Sequence, residues 1–189
     1  MRLVLASSSP RRRDLLSRIA VVPDRIASPD IDETPRKGEI ARVYALRMAV
    51  EKAHAVTCEA DEIVVAGDTT VAVGRRILPQ AADAEMQRGF LELLSGRRHH
   101  VWSAVCVIDA QGRARSRISD SIVRFKRLSP AEIEAYITSG EGLGKAGGYA
   151  IQGRAEALID WMSGSHSGVV GLPLYETRAL LRASGYPVE

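Results

Sequence analysis

Cysteine is scarce in this chain of 189 residues. Only Cys58 and Cys106 occur, in no C-x-x-C pair, so nothing in the pattern asks for a disulfide. Both thiols read as small buried side chains of a reduced, cytoplasmic protein. No apolar run approaches the roughly 18 residues that a membrane span needs. The apolar stretch at residues 3–6 is far too short for a signal peptide. A dominant charge is also lacking: the net charge is only +3, too weak for a committed nucleic-acid binder, although the pI is about 9.1. The four histidines show neither H-E-x-x-H nor any paired metal spacing, and read as packed or exposed side chains. The absence of G-x-S-x-G argues against a serine hydrolase.

What is present suits one globular domain, residues 1–189, with room for two lobes. Hydrophobic content is ordinary and large enough for a core that needs no staples. Residues 3–6 read as a buried strand, and residues 10 to about 19 as a helix with Ser9 as cap and Pro10 at its first position. Residues 23–35 are turn-rich and carry Asp30, Asp32 and Glu33. A long helix follows, with Val43, Leu46, Ala49, Val50 and Ala53 at helical spacing. Residues 63–66 form a continuous apolar run, as in a strand covered on both faces; it ends at Gly67-Asp68-Thr69-Thr70, and a second short strand starts near Val71. A helix around Phe90 stops at Gly96, strands cover 101–108 and roughly 119–128, and a capping box at Ser129 to Glu132 starts another helix. A last helix follows Leu172-Pro173-Leu174. Strands mixed with helices throughout predict an α/β sheet with helices on its faces.

Several segments carry chemistry. Ser7-Ser8-Ser9-Pro10-Arg11-Arg12 brings free amides, hydroxyls and two guanidinium groups to one spot, which suits a phosphate; its spacing is not that of a Walker loop. Asp68 can hold a metal, accept a proton from water, or merely cap a local amide. The acidic run offers oxygen ligands for a hard cation such as Mg2+, or is a solvated turn. Lys52, near the end of the long helix, reads by itself as a surface lysine. Between Gly144 and Gly153, small residues flank Lys145, a point charge for phosphate, and Gln152, a donor and acceptor for a base edge. Tyr149 and Ile151 predict an ordered strand there. Nine of the 16 glycines fall between Gly140 and Gly171, which marks a region where backbone approaches something closely.

Taken in order, seven segments resemble the Maf (septum-formation-inhibitor-like) family of nucleoside triphosphate pyrophosphatases. They are Leu5 to Arg12, Ile31-Asp32-Glu33-Thr34-Pro35, Glu51-Lys52-Ala53, Gly67-Asp68-Thr69, Leu94-Ser95-Gly96, Lys145 to Gly153, and Val169 to Leu174. The resemblance implies a twisted mixed sheet with flanking helices and two lobes around a cleft, as in inosine triphosphate pyrophosphatases. It implies hydrolysis of a nucleoside triphosphate to monophosphate and pyrophosphate, a divalent cation (Mg2+ or Mn2+), a homodimer, and no nucleic-acid or membrane partner. Arg11, Thr69 and Gln152 match the subtype acting on dTTP and UTP, not the one acting on 7-methyl-GTP. On this reading Asp68, Glu33 and Lys52 are catalytic, and Glu33 and Asp68 hold the metal. Ser7, Arg11, Arg12, Thr69, Gln80, Lys145 and Gln152 then bind substrate.

The chain departs from the family pattern in three places. Gln80 stands where a lysine is usual, the late G-S-Y-S-N-like stretch reads Gly164-Ser165-His166-Ser167-Gly168, and Gly67 replaces an alanine. A glutamine cannot neutralise phosphate charge, which leaves room for a second reading, a nucleotide-binding regulator of cell division with little turnover. A third reading, an RNA- or DNA-binding module built on Arg11–Arg13 and Arg97–Arg98, is disfavoured by the small net charge.

Overall fold

A computed structural model describes residues 1–188. Its frame is a seven-stranded mixed sheet in the order β2-β1-β3-β5-β6-β7, with β4 paired to β3. The strands are β1 (Arg2–Ala6), β2 (Arg25–Ala27), β3 (Glu62–Val73), β4 (Arg76–Leu78), β5 (Arg98–Ile108), β6 (Ala114–Phe125) and β7 (Ile159–Ser163). β1 runs parallel to β2 and β3; every other pairing is antiparallel.

Period-two alternation splits the core in two. Leu3 and Leu5 of β1 and Ile63 and Val65 of β3 face one side; Val4, Ala6, Val64 and Ala66 face the other. The second side is covered by helix α2 (Ala41–His54), whose Ala45, Ala49 and Ala53 pack on Ala6, Ala66, Ala104 and Cys106. Small residues on both surfaces let the helix lie close to the sheet. Larger side chains fill the first side, from α1 (Pro10–Ser17), α3 (Ala84–Leu94), α4 (Pro130–Thr138), α5 (His166–Val170) and α6 (Leu174–Ala183). Among the described residues, no helix is long and apolar enough to cross a membrane.

The structure corrects several expectations. β3 does not break at Gly67-Asp68-Thr69-Thr70. These four residues pair with Val105, Ala104, Ser103 and Trp102 of β5, and the antiparallel ladder carries the strand through. On the other edge, β1 ends at Ala6 opposite Ala66, and β4 ends at Leu78 opposite Val71. Residues 67–70 therefore face a gap between two partner strands. Glycine suits position 67: an added Cβ would lie 3.1 Å from the Ala104 carbonyl and 3.2 Å from Leu172 Cδ1.

The strand expected around Tyr149 is absent. Gly147 and Gly148 adopt positive φ of 69° and 71°, which turns the chain, and only Ala146 bridges, to Gln80. The turn-rich stretch 23–35 hides the edge strand β2, too short to show a period. Ser9 makes no side-chain cap; its own amide donates to the Ser7 hydroxyl at 3.2 Å. The buried stripe of α2 is Ala41, Ala45, Met48, Ala49, Lys52 and Ala53, whereas Val43 points outward. Cys58 is exposed; Cys106 is buried. The capping box at Ser129 and Glu132 forms as expected.

His99 is 1% exposed, stacked on Phe125 and 2.7 Å from the Tyr149 hydroxyl through Nε2. Burial pushes its pKa down to about 4, with a smaller contribution from His100. The unfolded chain takes up this proton near pH 6.5, before the folded chain does, so stability is lost as pH falls from about 6.5 to about 4. The linked loss reaches about 3 kcal/mol. Urea unfolding at pH 7.5 and 4.5 is expected to show this loss in the parent and a smaller one in His99→Phe. Equal losses in both would place the pH dependence elsewhere.

Candidate active site

The gap beside β3 opens into a cleft of about 240 Å3 between the sheet, the loop after β1, and the turns at 144–152 and 169–171. Ser7, Arg11, Arg12, Glu33, Lys52, Asp68, Thr69, Gln80, Lys145 and Gln152 all line it. The residues named from the sequence thus come together from six separate segments. Asp30 and Asp32 do not: the Asp32 carboxylate accepts the Thr34 amide at 2.9 Å and shapes a local turn.

One pole of the cleft is cationic. Arg12 donates through Nη1 to the Ser7 hydroxyl and through Nε to the Gly171 carbonyl, each at 2.9 Å. Arg11 donates to the Val170 carbonyl at 3.3 Å, and Lys145 to that of Leu143 at 3.4 Å. Among the described residues, these three cations hydrogen-bond to neutral oxygens only. Burial lowers the pKa of all three, and the neighbouring Arg11 charge adds to the shift at Arg12 and Lys145. At Arg12 the Asp68 and Glu33 charges act in the opposite direction. Guanidinium groups stay protonated regardless. Clustered, partly desolvated cations without carboxylate partners form a site that gains from an incoming polyanion.

The other pole is built on Lys52. The Lys52 ammonium lies 2.9 Å from Asp68 Oδ1 and 2.7 Å from Glu33 Oε2. The second Asp68 oxygen accepts the Thr70 hydroxyl at 2.9 Å. Strand alternation explains the set: Asp68 and Thr70 point to the α2 face, where Lys52 occupies the helix's buried stripe. Glu33 arrives on an irregular loop that α2 ties down. Tyr44 donates to the Glu33 carbonyl at 2.7 Å, and Arg47 donates to the Thr34 carbonyl and pairs with Glu39 and Glu51.

Thr69 faces away from Asp68. Its hydroxyl donates to the Gly171 carbonyl at 3.3 Å and lies 3.4 Å from Ser103 Oγ, which joins the 171 turn to the sheet. Gln152 and Gln80 are exposed at the rim, and the bridge from Gln80 to Ala146 sets Gln80 beside Lys145. Thr70 and Tyr44 were missed from the sequence. An unbroken β3 makes Thr70 the same-face neighbour of Asp68, so the misplaced strand end hid it.

Among the described residues, no three His, Cys, Asp or Glu side chains cluster as a metal site. Two carboxylates, Asp68 and Glu33, remain at the cleft. That donor set suits a hard cation such as Mg2+, which keeps waters and takes further ligands from substrate phosphates.

The family model described as Maf-like protein matches residues 2–184. A dTTP/UTP pyrophosphatase of Sphingopyxis alaskensis is 66% identical over 186 residues, covering 98% of both chains. One from Novosphingobium aromaticivorans is 60% identical over 187 residues, covering 98% of this chain and 93% of that protein. Among solved structures, a HAM1 protein from Coxiella burnetii shares the fold, with a TM-score of 0.50, 15% identity, and coverage of 97% of this chain and 99% of that one. The chain belongs to the Maf-like protein family.

Among the described residues, Lys52 is the one ammonium that pairs with Asp68, so its removal strands that carboxylate. Lys52→Met is expected to cost about 3 kcal/mol in urea unfolding at pH 7. Adding Asp68→Asn is expected to recover at least half of that cost. Strict additivity of the two substitutions would show that Lys52 is not the counter-charge of Asp68.

Proposed function

We propose that this chain hydrolyses dTTP and UTP to the monophosphate and pyrophosphate, and so removes surplus or damaged nucleotides from the pool. The observation that carries the reading is the adjacency of two poles in one cleft. Among the described residues, Arg11, Arg12 and Lys145 form no ion pair, and the carboxylates Asp68 and Glu33 line the same cleft. The names of the relatives support the choice of dTTP and UTP.

In the proposed reaction the triphosphate tail lies against the cationic pole and the innermost phosphorus faces Asp68. Water attacks that phosphorus opposite the bond to the β-phosphate. The bond to the bridging oxygen breaks, pyrophosphate leaves, and Asp68 accepts the water's proton. Lys52 orients Asp68 for this step and holds Glu33 beside it. A divalent cation held by Asp68 and Glu33 would offset negative charge on the phosphates. Arg11, Arg12 and Lys145 bind the phosphate oxygens, and Ser7 orients Arg12. Gln152 reads the pyrimidine edge from the rim. Thr69 supports that end of the cleft by fixing the 171 turn. The reading places the protein in the cytoplasm, where nucleotide pools lie, and as a homodimer, the form the family resemblance implies.

A nucleic-acid surface finds less support. Arg11 and Arg12 line the cleft, and Arg98 lies over the Trp161 ring at 4.6 Å, so these arginines do not form one open basic face.

A panel of natural triphosphates with pyrophosphate as readout tests the proposal. Release is expected from dTTP and UTP, with little from purine triphosphates, and only with Mg2+ or Mn2+ present. Asp68→Asn is expected to lower kcat on the order of a thousandfold with intact folding. An Asp68→Asn enzyme as fast as the parent would remove Asp68 from the mechanism. Binding of dTTP without cleavage in a single-turnover experiment would favour the regulator reading instead.

Gln80 yields a separate prediction. Its register beside Lys145 puts a lysine at this position near the same phosphates. Gln80→Lys is expected to raise kcat/KM for dTTP on the order of tenfold, about 1.4 kcal/mol, without altering the base preference. No gain would mean that another cation already fills the role.

A further inference from the structure

The turn from Lys145 to Gln152 is held in two ways. Its first half is fixed by backbone. The Ala81 amide donates to the Lys145 carbonyl at 3.1 Å, the Gly144 amide to that of Ala81 at 2.9 Å, and the Gly147 amide to those of Leu78 and Pro79. These bonds set Lys145, the residue placed on the phosphates. The second half has no such ladder. Three buried polar side chains from three different elements reach it instead.

Gln87 of α3 donates through Nε2 to the Gly148 carbonyl at 3.1 Å. His99 Nε2 of β5 lies 2.7 Å from the Tyr149 hydroxyl. The Tyr136 hydroxyl of α4 accepts the Ala150 amide at 3.0 Å. Gln87, His99 and Tyr136 are 0, 1 and 3% exposed. An apolar core would be simpler to pack, since burying an amide or imidazole costs free energy unless its atoms are bonded. The bonding here is incomplete: Gln87 Oε1 and His99 Nδ1 have no partner among the described residues. The polar groups therefore serve contacts with the turn at some expense to stability. The glycines agree. A Cβ at Gly142 would lie 2.2 Å from Gln87 Nε2 and 2.1 Å from the Gly148 oxygen, so only glycine there lets this bond form. Nothing in the mechanism above uses these three side chains.

We propose that Gln87, His99 and Tyr136 are positioning residues that set base selectivity by fixing the backbone of residues 148–152, and with it Gln152. They act through the turn and touch no substrate. The inference rests on the placement of Gln152 at the nucleobase, proposed above. Phosphate binding is set by the independently held first half of the turn.

The two halves give the test. Tyr136→Phe deletes one oxygen and leaves the Ala150 amide unpaired; Gln87→Met deletes the donor to Gly148 at similar volume. Each is expected to narrow the ratio of kcat/KM for UTP over GTP at least fivefold, mainly through a higher KM for UTP. Competitive inhibition by inorganic pyrophosphate is expected to stay within twofold of the parent. Ile133→Val on α4, a core substitution without a polar contact to the turn, serves as control and is expected to leave the ratio unchanged at a comparable loss of thermal stability. An unchanged ratio in folded Tyr136→Phe, or an equal loss of UTP selectivity and pyrophosphate binding, would overturn the proposal. Should Gln87→Met fail to fold, Tyr136→Phe decides alone. A parent that cleaves neither dTTP nor UTP would refute the proposed function before any variant is compared.

Discussion

The contact on which the site depends is the Lys52 ammonium between Asp68 and Glu33. Asp68 lies within one of the two longest strands of the sheet, on the face packed by α2, and is only 6% exposed. A carboxylate there without a counter-charge would be protonated or would destabilise the fold. Lys52 solves this from the buried stripe of α2, which can come close because alanines line both surfaces. The same ammonium holds Glu33, whose loop is otherwise irregular. One side chain thus joins helix, strand and loop, and its charge makes two carboxylates compatible with each other.

That arrangement needs a place to open, and the sheet supplies it. Strands pair β3 continuously along one edge, yet leave residues 67–70 unpartnered on the other, between the ends of β1 and β4. Backbone and side chains there turn to the loop after β1, where Ser7 and Arg12 meet the Gly171 turn. The site is a gap in strand pairing more than a crevice at a strand tip. The Asp68 carboxylate inherits the rigidity of a paired strand, while the side proposed to bind phosphate inherits the free amides of a loop and a helix start.

Much of this was legible in the sequence, for identifiable reasons. The serine-arginine segment, Lys145 and Gln152 announced themselves because each chemistry needs its residue type in a glycine- or serine-rich setting. Continuous apolar runs and helical spacing located most of the frame. Lys52 was not legible from spacing, since a lysine on a helix usually faces water; only the family resemblance singled it out. The strand break expected at Gly67 arose from treating glycine followed by aspartate as turn chemistry, where the ladder from β5 overrides that tendency. The strand expected around Tyr149 failed for the opposite reason. Two glycines with left-handed backbone turn a segment that apolar residues alone would extend, and its order comes from partners far away in sequence. Gln87, His99 and Tyr136 carry no local signal at all.

Charge balance shows why a glutamine at position 80 is tolerable. Four cations line the cleft, Arg11, Arg12, Lys52 and Lys145, against the two carboxylates Glu33 and Asp68. A triphosphate tail carries about four negative charges near neutral pH. The protein alone offsets half of them, and one divalent cation would offset the rest. A lysine at position 80 would add a surplus positive charge in the presence of such an ion, strengthening the hold on substrate and on departing pyrophosphate alike. The gain from that lysine is therefore largest where binding or chemistry limits turnover and smallest where release of pyrophosphate does. On the proposed mechanism, Gln80 would leave the cleft balanced only with a divalent cation bound, and the dependence of the reaction on that ion would be steeper than in a cleft with the additional lysine.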